Sequence, residues 1–396
     1  MISRSFASAV LAAGLVAGST AGATPFDDEL AAIKARLAAL EQQVAEQNHL
    51  IQEKDRQIEA LTSNPSIHEH MGGKHWTDRV QISGLIEVEA GYNAPDSGNS
   101  SSDIVVSTVE LGVAAQISEW VAGEITLLYE DPDTDLEIDV ATITIADPDA
   151  PWFLNLGQQY IPFGTYETNM VSDPLTLEIG EVREVAVLAG FASEGFLGGV
   201  YLFNGDLAEG GDDDIDAYGA FAGYSREDEN SAFGMHVSYI SDIGDSNGLQ
   251  DVVQENLNIA AVDYDAQVPG VAVDVRFTTG PFAVIAGYVT ATDAFKPSEL
   301  GFGTGGAQPS AFNIEAGYGF TAAGKEATVA VGFQQTSESA ALGLPEQRVL
   351  AALTVALMER ARLAFEWAHD DDYSAADGGT GANGGDTATM QLAVEF

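Results

Sequence analysis

The apolar positions of the chain follow two different periods, one after the other. From Leu30 to Leu61 apolar residues recur every seven positions, with a second, mostly apolar series between them. A seam of this period, kept over several heptads, is typical of a coiled coil. A single amphipathic helix is the alternative, and its mixed charges argue against binding to a membrane surface. We therefore expect a coiled coil over residues 26–62.

From Val80 onward, apolar and polar residues alternate with a period of two, which indicates β-strands. We count sixteen strands; fourteen or eighteen also fit, because strand ends are loosely defined in a sequence. The polar side is mostly Gly, Ala, Ser and Thr, which suits a wet lumen. Short turns alternate with long loops, and aromatic residues gather at strand ends, as in outer-membrane barrels. The pattern predicts an all-β fold, a transmembrane antiparallel β-barrel over residues 80–396 that follows the α-helical coil.

The two chain ends carry addressing signals. Arg4, the apolar run Ala7–Gly18 and the small residues Ala21–Ala23 predict a signal peptide over residues 1–23. Residues 63–79 form a linker broken by proline and glycine. The last strand ends in Phe396, which resembles the terminal signal read by the barrel-assembly machinery. We expect a barrel in the bacterial outer membrane with its coil in the periplasm.

The composition excludes several classes of function. Against 15 Lys and Arg stand 61 Asp and Glu, a net charge of −46, which repels nucleic acids. The absence of cysteine excludes disulfides, thiolate metal sites and cysteine nucleophiles. Neither a Gly-x-Ser-x-Gly elbow, nor His-Glu-x-x-His, nor a phosphate-binding glycine loop with lysine occurs. We expect neither an enzyme nor a cofactor.

Several segments carry a resemblance to a known family. They are Gly157–Gly164 with Tyr-Ile-Pro-Phe-Gly, Asn169–Thr176, Val268–Gly270, Thr279–Phe282 and Gly287–Ala291. With the coil and the barrel, they make the chain similar to the LbtU-family siderophore porins of proteobacteria. The Tyr-x-Pro-Phe-Gly stretch is also similar to porins of the O/P type. The resemblance implies uptake of a ferric siderophore without a plug domain, and it implies no catalytic residues.

The charges inside the predicted barrel separate two kinds of channel. A phosphate channel needs a ladder of Arg and Lys, whereas acidic rings favour cations. Acidic residues dominate the polar side of the strands here, so a general cation-preferring diffusion porin is the alternative to siderophore uptake. The candidate pore-lining residues are Glu87, Glu89, Glu110, Glu124, His236, Glu315, Arg348, Arg362 and Glu366.

The third outer loop, Gly164 to Glu181, is the candidate constriction. It contains Met170, Val171 and Asp173. A loop of this kind either folds inward and narrows the channel or packs over its neighbours. Both readings stay open at this stage.

Two further groups of residues are weaker candidates. His68, His70 and His75 could hold a metal in an oligomer, but their spacing in an unstructured linker matches known sites poorly. A solvated linker is the better reading. The acidic loops could bind calcium, magnesium or lipopolysaccharide, although an acid-rich surface that stays hydrated explains them better.

Three functions therefore remain. The chain imports a ferric siderophore, or it lets small cationic solutes diffuse, or it ties the outer membrane to a periplasmic partner through the coil. The expected partners are a ferric siderophore or another small solute, the outer membrane with its lipopolysaccharide, the barrel-assembly machinery and two further copies in a homotrimer.

Overall fold

The computed structural model describes residues 79–132, 134–208, 210, 214–381 and 383–396. The signal peptide, the coiled coil, all of the linker except Arg79, and the three linker histidines lie outside the described residues. Within the described part of the chain, no helix is long and apolar enough to cross a membrane.

The described strands form one closed antiparallel barrel of sixteen strands, which confirms the expected fold class. Consecutive strands pair throughout, β11 pairs with β14, and β1 pairs with β18 to close the ring. A two-stranded hairpin, β12 and β13, interrupts the order. The strands are β1 (Val80–Pro95), β2 (Ser101–Gln116), β3 (Val121–Glu130), β4 (Thr134–Ala146), β5 (Trp152–Tyr160), β6 (Arg183–Ser193), β7 (Phe196–Phe203), β8 (Ala217–Asp228), β9 (Ser231–Ile240), β10 (Gly270–Thr279), β11 (Phe282–Ala291), β12 (Gly301–Phe302), β13 (Gly305–Gly306), β14 (Ser310–Ala322), β15 (Lys325–Ser337), β16 (Gln347–Met358), β17 (Ala361–Asp371) and β18 (Gly385–Glu395).

The alternation in the sequence becomes the two faces of the barrel wall. In β1, Ile82 and Ile86 point outward and are 66% and 41% exposed, whereas Glu87 and Glu89 point inward. At the seam, the N–H of Phe396 donates to the Gly84 carbonyl over 3.0 Å, and the reverse bond measures 3.1 Å. The outer wall is an apolar band, as in barrels that cross membranes.

Long connections occur only at the end of the barrel opposite the chain termini. Two of the outer connections, residues 96–100 and 131–133, are short, so the expected alternation of short turns and long loops fails at these two. At the first, β1 and β2 stay paired up to Asn93 and Ser101, and at the second, β3 and β4 stay paired up to Glu130 and Thr134. The long loops used below are L3 (residues 161–182), L5 (241–269) and L6 (292–309).

Part of the barrel interior is filled by these loops. L3 contains the helix α1 (Leu175–Gly180), and L5 contains a short 3₁₀ turn (Ile243–Asp245) followed by the helix α2 (Asn247–Ala260). Their apolar side chains pack in one core with the inner faces of β6 to β14. Phe163, Leu175, Ile179, Leu249, Val253 and Leu300 are completely or almost completely buried in it. The open part of the lumen therefore lies against the remaining strands, among them β1 to β4.

Candidate functional site in the barrel lumen

L3 turns into the barrel immediately after β5. The strand ends at Tyr160, because Pro162 has no N–H to continue the ladder. Gly164 then adopts φ +88°, a conformation that favours glycine, and its N–H donates to the Ser238 hydroxyl on β9 over 3.1 Å. The Tyr166 hydroxyl donates to the Phe163 carbonyl. These contacts direct the loop across the lumen instead of over its rim.

Glu315 on β14 is the first anchor of the loop. Its carboxylate accepts hydrogen bonds from the Thr168 hydroxyl (2.7 Å), the Asn169 backbone N–H (2.7 Å) and the Asn169 side-chain amide (3.2 Å). Asn313 on the same strand donates to it over 3.2 Å. Glu315 is only 1% exposed, so this buried charge is compensated by the donors around it.

Glu366 on β17 is the second anchor, on the opposite side of the loop tip. It accepts from the Val171 N–H over 2.5 Å and from the Ser172 hydroxyl over 2.7 Å. Gln334 on β15 adds a third contact, because its side-chain oxygen accepts from the Leu175 N–H over 3.1 Å. Wall residues from three strands thus bind the backbone of L3 directly, which fixes its path across the lumen.

The far end of L3 is attached to L5. The N–H of Asn247, at the start of α2, donates to the Glu181 carbonyl over 2.8 Å, and its side-chain amide donates to the Glu181 carboxylate over 3.2 Å. Burial, and then the charges of Asp173 and Glu130, raise the pKa of Glu181 to about 7. The L3–L5 contact therefore contains a carboxyl group that ionises close to neutral pH.

Four carboxylates line the open part of the lumen. Glu87 and Glu89 lie on β1, Glu110 on β2 and Glu124 on β3, all on inward positions of neighbouring strands. The Glu89 carboxylate accepts from the Gln391 side chain over 2.9 Å, and the other three remain partly open to solvent. Near the short-turn end, Glu110 and Glu124 line a cavity of about 770 Å³. These four carboxylates make this wall of the lumen acidic.

Asp173 of L3 is the acidic group on the opposite side. Burial, and then the charges of Glu89 and Glu366, raise its pKa above the ordinary value. It also acts electrostatically on Glu87. The passage between L3 and β1 thus has carboxylates on both sides.

The two arginines predicted for the lumen are both bound to carboxylates. Arg362 on β17 donates to Glu395 over 2.7 Å. Arg348 on β16 forms a two-pronged pair with Asp370, at 2.7 and 3.0 Å. Each arginine is thus paired with a carboxylate, and Arg362 also acts electrostatically on Glu87 of the acidic wall.

His236 lies behind the root of L3, away from the acidic wall. Its Nδ1 is 3.8 Å from Oδ2 of Asp274 on β10, and neither atom has a hydrogen-bond partner. Both residues line a cavity of about 680 Å³, to which Glu167 of L3 and Arg276 contribute an ion pair. His236 therefore faces the lumen side but is 8% exposed.

The structure thus divides the predicted residues into two groups. The carboxylates of Glu315 and Glu366 accept hydrogen bonds from L3 and hold it. The remaining acidic wall residues, in contrast, lie in the open lumen: Glu87, Glu89, Glu110 and Glu124. Met170, Val171 and Asp173 lie on the inward loop. Sequence reasoning missed the donors and acceptors that complete the anchors, namely Thr168, Asn169, Asn313 and Gln334. Among the described residues, no group of three His, Asp or Glu side chains is arranged to hold a metal ion.

Comparison with known proteins finds distant relatives of the chain and barrels of the same fold. No family model matches the chain. It is 28% identical over 321 residues to a UPF0422 protein of Coxiella burnetii, covering 77% of this chain and 67% of that one. It is 27% identical over 355 residues to a UPF0422 protein of Legionella pneumophila, covering 80% of this chain and 66% of that one. The chain thus spans about two thirds of the length of these curated relatives.

Solved structures give the same fold at low sequence identity. The outer membrane channel DcaP of Acinetobacter baumannii matches with a TM-score of 0.55 and 14% identity, over 80% of this chain and 97% of that one. OprB of Pseudomonas putida matches with a TM-score of 0.56 and 9% identity, over 81% of this chain and 95% of that one. An anion-selective porin from Comamonas acidovorans matches with 0.52 and 10%, over 80% and 98%. These similarities show a porin-like barrel, and ion preference must be argued from this chain's own side chains.

Proposed function

We propose that the protein is an outer-membrane channel for the diffusion of small solutes and that it prefers cations. The observation that carries this proposal is the pair of acidic surfaces that face each other across the open lumen, Glu87 and Glu89 on β1 and Asp173 on L3. Carboxylates in a narrow passage attract cations and repel anions. Carboxylates outnumber the two lumen arginines, each of which is paired with a carboxylate.

The anchoring of L3 supports the same proposal. Because Glu315 and Glu366 bind the backbone of the loop, the distance between Asp173 and β1 is held constant. A fixed acidic constriction selects by charge and size without a moving part. The outward apolar band supports the membrane location.

Swelling of proteoliposomes tests this proposal. The purified full chain is reconstituted, and entry rates are compared for cationic and anionic solutes of equal size. We expect faster entry of the cationic solute, and a smaller difference in the variant Glu87→Gln/Glu89→Gln. The matched control is Glu119→Gln/Glu359→Gln, two exposed carboxylates on short turns outside the lumen. Equal entry of both solutes into wild-type liposomes would contradict the proposal.

Import of a ferric siderophore is the second candidate. The observation that favours it is the position of the segments that carry the LbtU resemblance. Gly157–Gly164 and Asn169–Thr176 form the end of β5 and the tip of L3, the part of the chain that determines what passes. Uptake of radiolabelled cationic, neutral and anionic ferric siderophores is measured in iron-starved deletion and complemented cells. Uptake that needs the gene supports import, and equal uptake in both strains contradicts it for the siderophores used.

The remaining proposals rest on the sequence alone. We propose that residues 26–62 form a periplasmic coil that assembles a homotrimer, with Phe396 as the assembly signal. If the coil is instead a tether to a periplasmic partner and this is the main function, removal of residues 26–62 abolishes function. Under the channel proposal the same deletion leaves solute entry intact.

A further inference from the structure

The outer wall of the barrel has an apolar groove that the channel proposal does not use. Two cavities, of about 610 and 360 Å³, lie side by side on β4 to β9. They share Ala189 and Val200, so they form one continuous groove. Its floor consists of the small outward residues Ala189, Gly198 and Ala220, which lie on three neighbouring strands.

Aromatic side chains stand at both ends of this groove. At the short-turn end, the rings of Trp152 and Phe191 meet edge to face with centroids 4.9 Å apart. At the other end, Tyr218 and Tyr239 lie with centroids 6.3 Å apart. Aromatic residues concentrate where a barrel crosses the edge of the hydrocarbon layer. The groove therefore extends inward from the short-turn edge of the apolar band, within the region that hydrocarbon covers.

Acidic groups outnumber basic ones at the short-turn end of the groove, where the Arg79 guanidinium donates to the Ile117 carbonyl over 3.4 Å. Asp147 lines the groove beside Trp120 and Trp152. The turns around it, residues 117–120, 147–151 and 194–195, contain Glu119, Asp149 and Glu194 and no Lys or Arg. A headgroup at this position meets negative charge, which favours an ammonium group and disfavours a purely anionic headgroup.

We propose that this groove binds an acyl chain of a phospholipid whose headgroup carries a primary ammonium beside Asp147. The apolar lining of the groove contacts the acyl chain, and the acidic turns select the headgroup. The groove is continuous with the lipid-facing wall, so a hydrocarbon chain is the occupant that its surroundings supply. This inference rests on the membrane location in the proposed function but does not depend on ion preference.

Native mass spectrometry of the full chain in detergent tests this inference. The probes are dioleoyl phosphatidylethanolamine and dioleoyl phosphatidylglycerol, which differ only in the headgroup. We expect wild-type protein to retain the ethanolamine lipid preferentially. Ala189→Phe, which fills the groove, lowers the retained fraction about tenfold. Asp147→Asn lowers the headgroup preference and leaves binding of the acyl chain unchanged.

The control is Ala286→Phe, at an outward alanine of β11 outside the groove, and it retains lipid like the wild type. Ala220→Phe is a second filling variant in case Ala189→Phe does not fold. Equal retention by a folded filling variant and the wild type would overturn the inference, as would preference for the glycerol lipid. Loss of protomer association in the filling variants, without loss of lipid, would assign the groove to a second copy instead. Proteoliposome swelling on the same samples distinguishes failure of the lipid inference from failure of the channel proposal. A barrel that conducts solutes but retains no lipid overturns only the lipid inference.

Discussion

Glu315 accepts hydrogen bonds from both the backbone N–H and the side-chain amide of Asn169, although the two residues are 146 positions apart in the chain. A wall carboxylate thus holds the loop that narrows the lumen. Glu366 repeats the arrangement at Val171 and Ser172. The same residue type that sets the charge of the lumen also fixes its geometry.

Removal of these anchor charges will loosen L3. In Glu315→Gln/Glu366→Gln, each anchor loses charge-assisted bonds of about 1.5–3 kcal/mol. We expect faster hydrogen exchange over residues 164–176 and noisier single-channel currents, while the β-sheet signal in circular dichroism stays unchanged. Glu359→Gln, on an exposed turn, is the control. Unchanged exchange in the double variant would show that the anchors do not hold the loop.

Replacement of Arg362 should change the ion preference in the opposite direction from replacement of Glu87 and Glu89. Arg362 is bound to Glu395 and lies within electrostatic reach of Glu87. Arg362→Gln removes this cation from the acidic passage, so we expect the ratio of cation to anion permeability to rise above that of the wild type. Arg226→Gln, in which an exposed arginine of a short-turn rim is replaced, leaves the ratio unchanged. A lower ratio in Arg362→Gln would contradict the assignment of the acidic surface.

The contact between L3 and L5 will depend on pH. The pKa of Glu181 is raised from 4.5 to about 7, and burial raises that of Asp245 from 3.8 to about 7. Between the ordinary pKa of each group and its raised value of about 7, the folded loops hold protons that the unfolded chain has lost. The local stability of the loops is therefore greatest at low pH and falls as the pH rises toward 7. Hydrogen exchange over residues 173–182 and 243–268, corrected for its intrinsic pH dependence, measures this.

The matching variant is Glu181→Gln, which has no charge at any pH. It should weaken the pH dependence of protection over residues 173–182, where Asp173 still has a raised pKa, whereas Asp245 still affects L5. Protection that increases with pH in the wild type would be incompatible with the raised pKa values.

The turn at Gly164 requires glycine. Its φ of +88° is unfavourable for other residues by about 1–2 kcal/mol, and an added Cβ would meet the Tyr166 ring. Gly164→Ala should therefore lower the temperature at which L3 loses protection from proteolysis. Gly91→Ala is the control, because an added Cβ there meets no atom within 4 Å. Equal melting of both variants would refute this role of Gly164.

The fold followed from the sequence because a barrel wall separates its two faces with a strict period of two. Strand number and the inward positions of Glu87 and Glu315 both come from that period. The same period cannot tell an open carboxylate from an anchoring one. Glu315 and Glu87 have the same pattern, and only the path of L3 through the lumen distinguishes them.

The filling of the lumen was also beyond the sequence analysis. Leu249, Val253 and Leu257 recur every four residues and indicate the helix α2. In a long loop between strands, this signal is brief and was not recognised. Packing of α2 against α1 depends on contacts between loops that are distant in the chain, such as Asn247 with Glu181.

The reversal potential of wild-type channels in a planar bilayer with a tenfold KCl gradient tests the proposed cation preference most directly. We expect K⁺ to be several times more permeable than Cl⁻ and Glu87→Gln/Glu89→Gln to reduce this ratio. A reversal potential near zero, or one of the sign for anion preference, would contradict it.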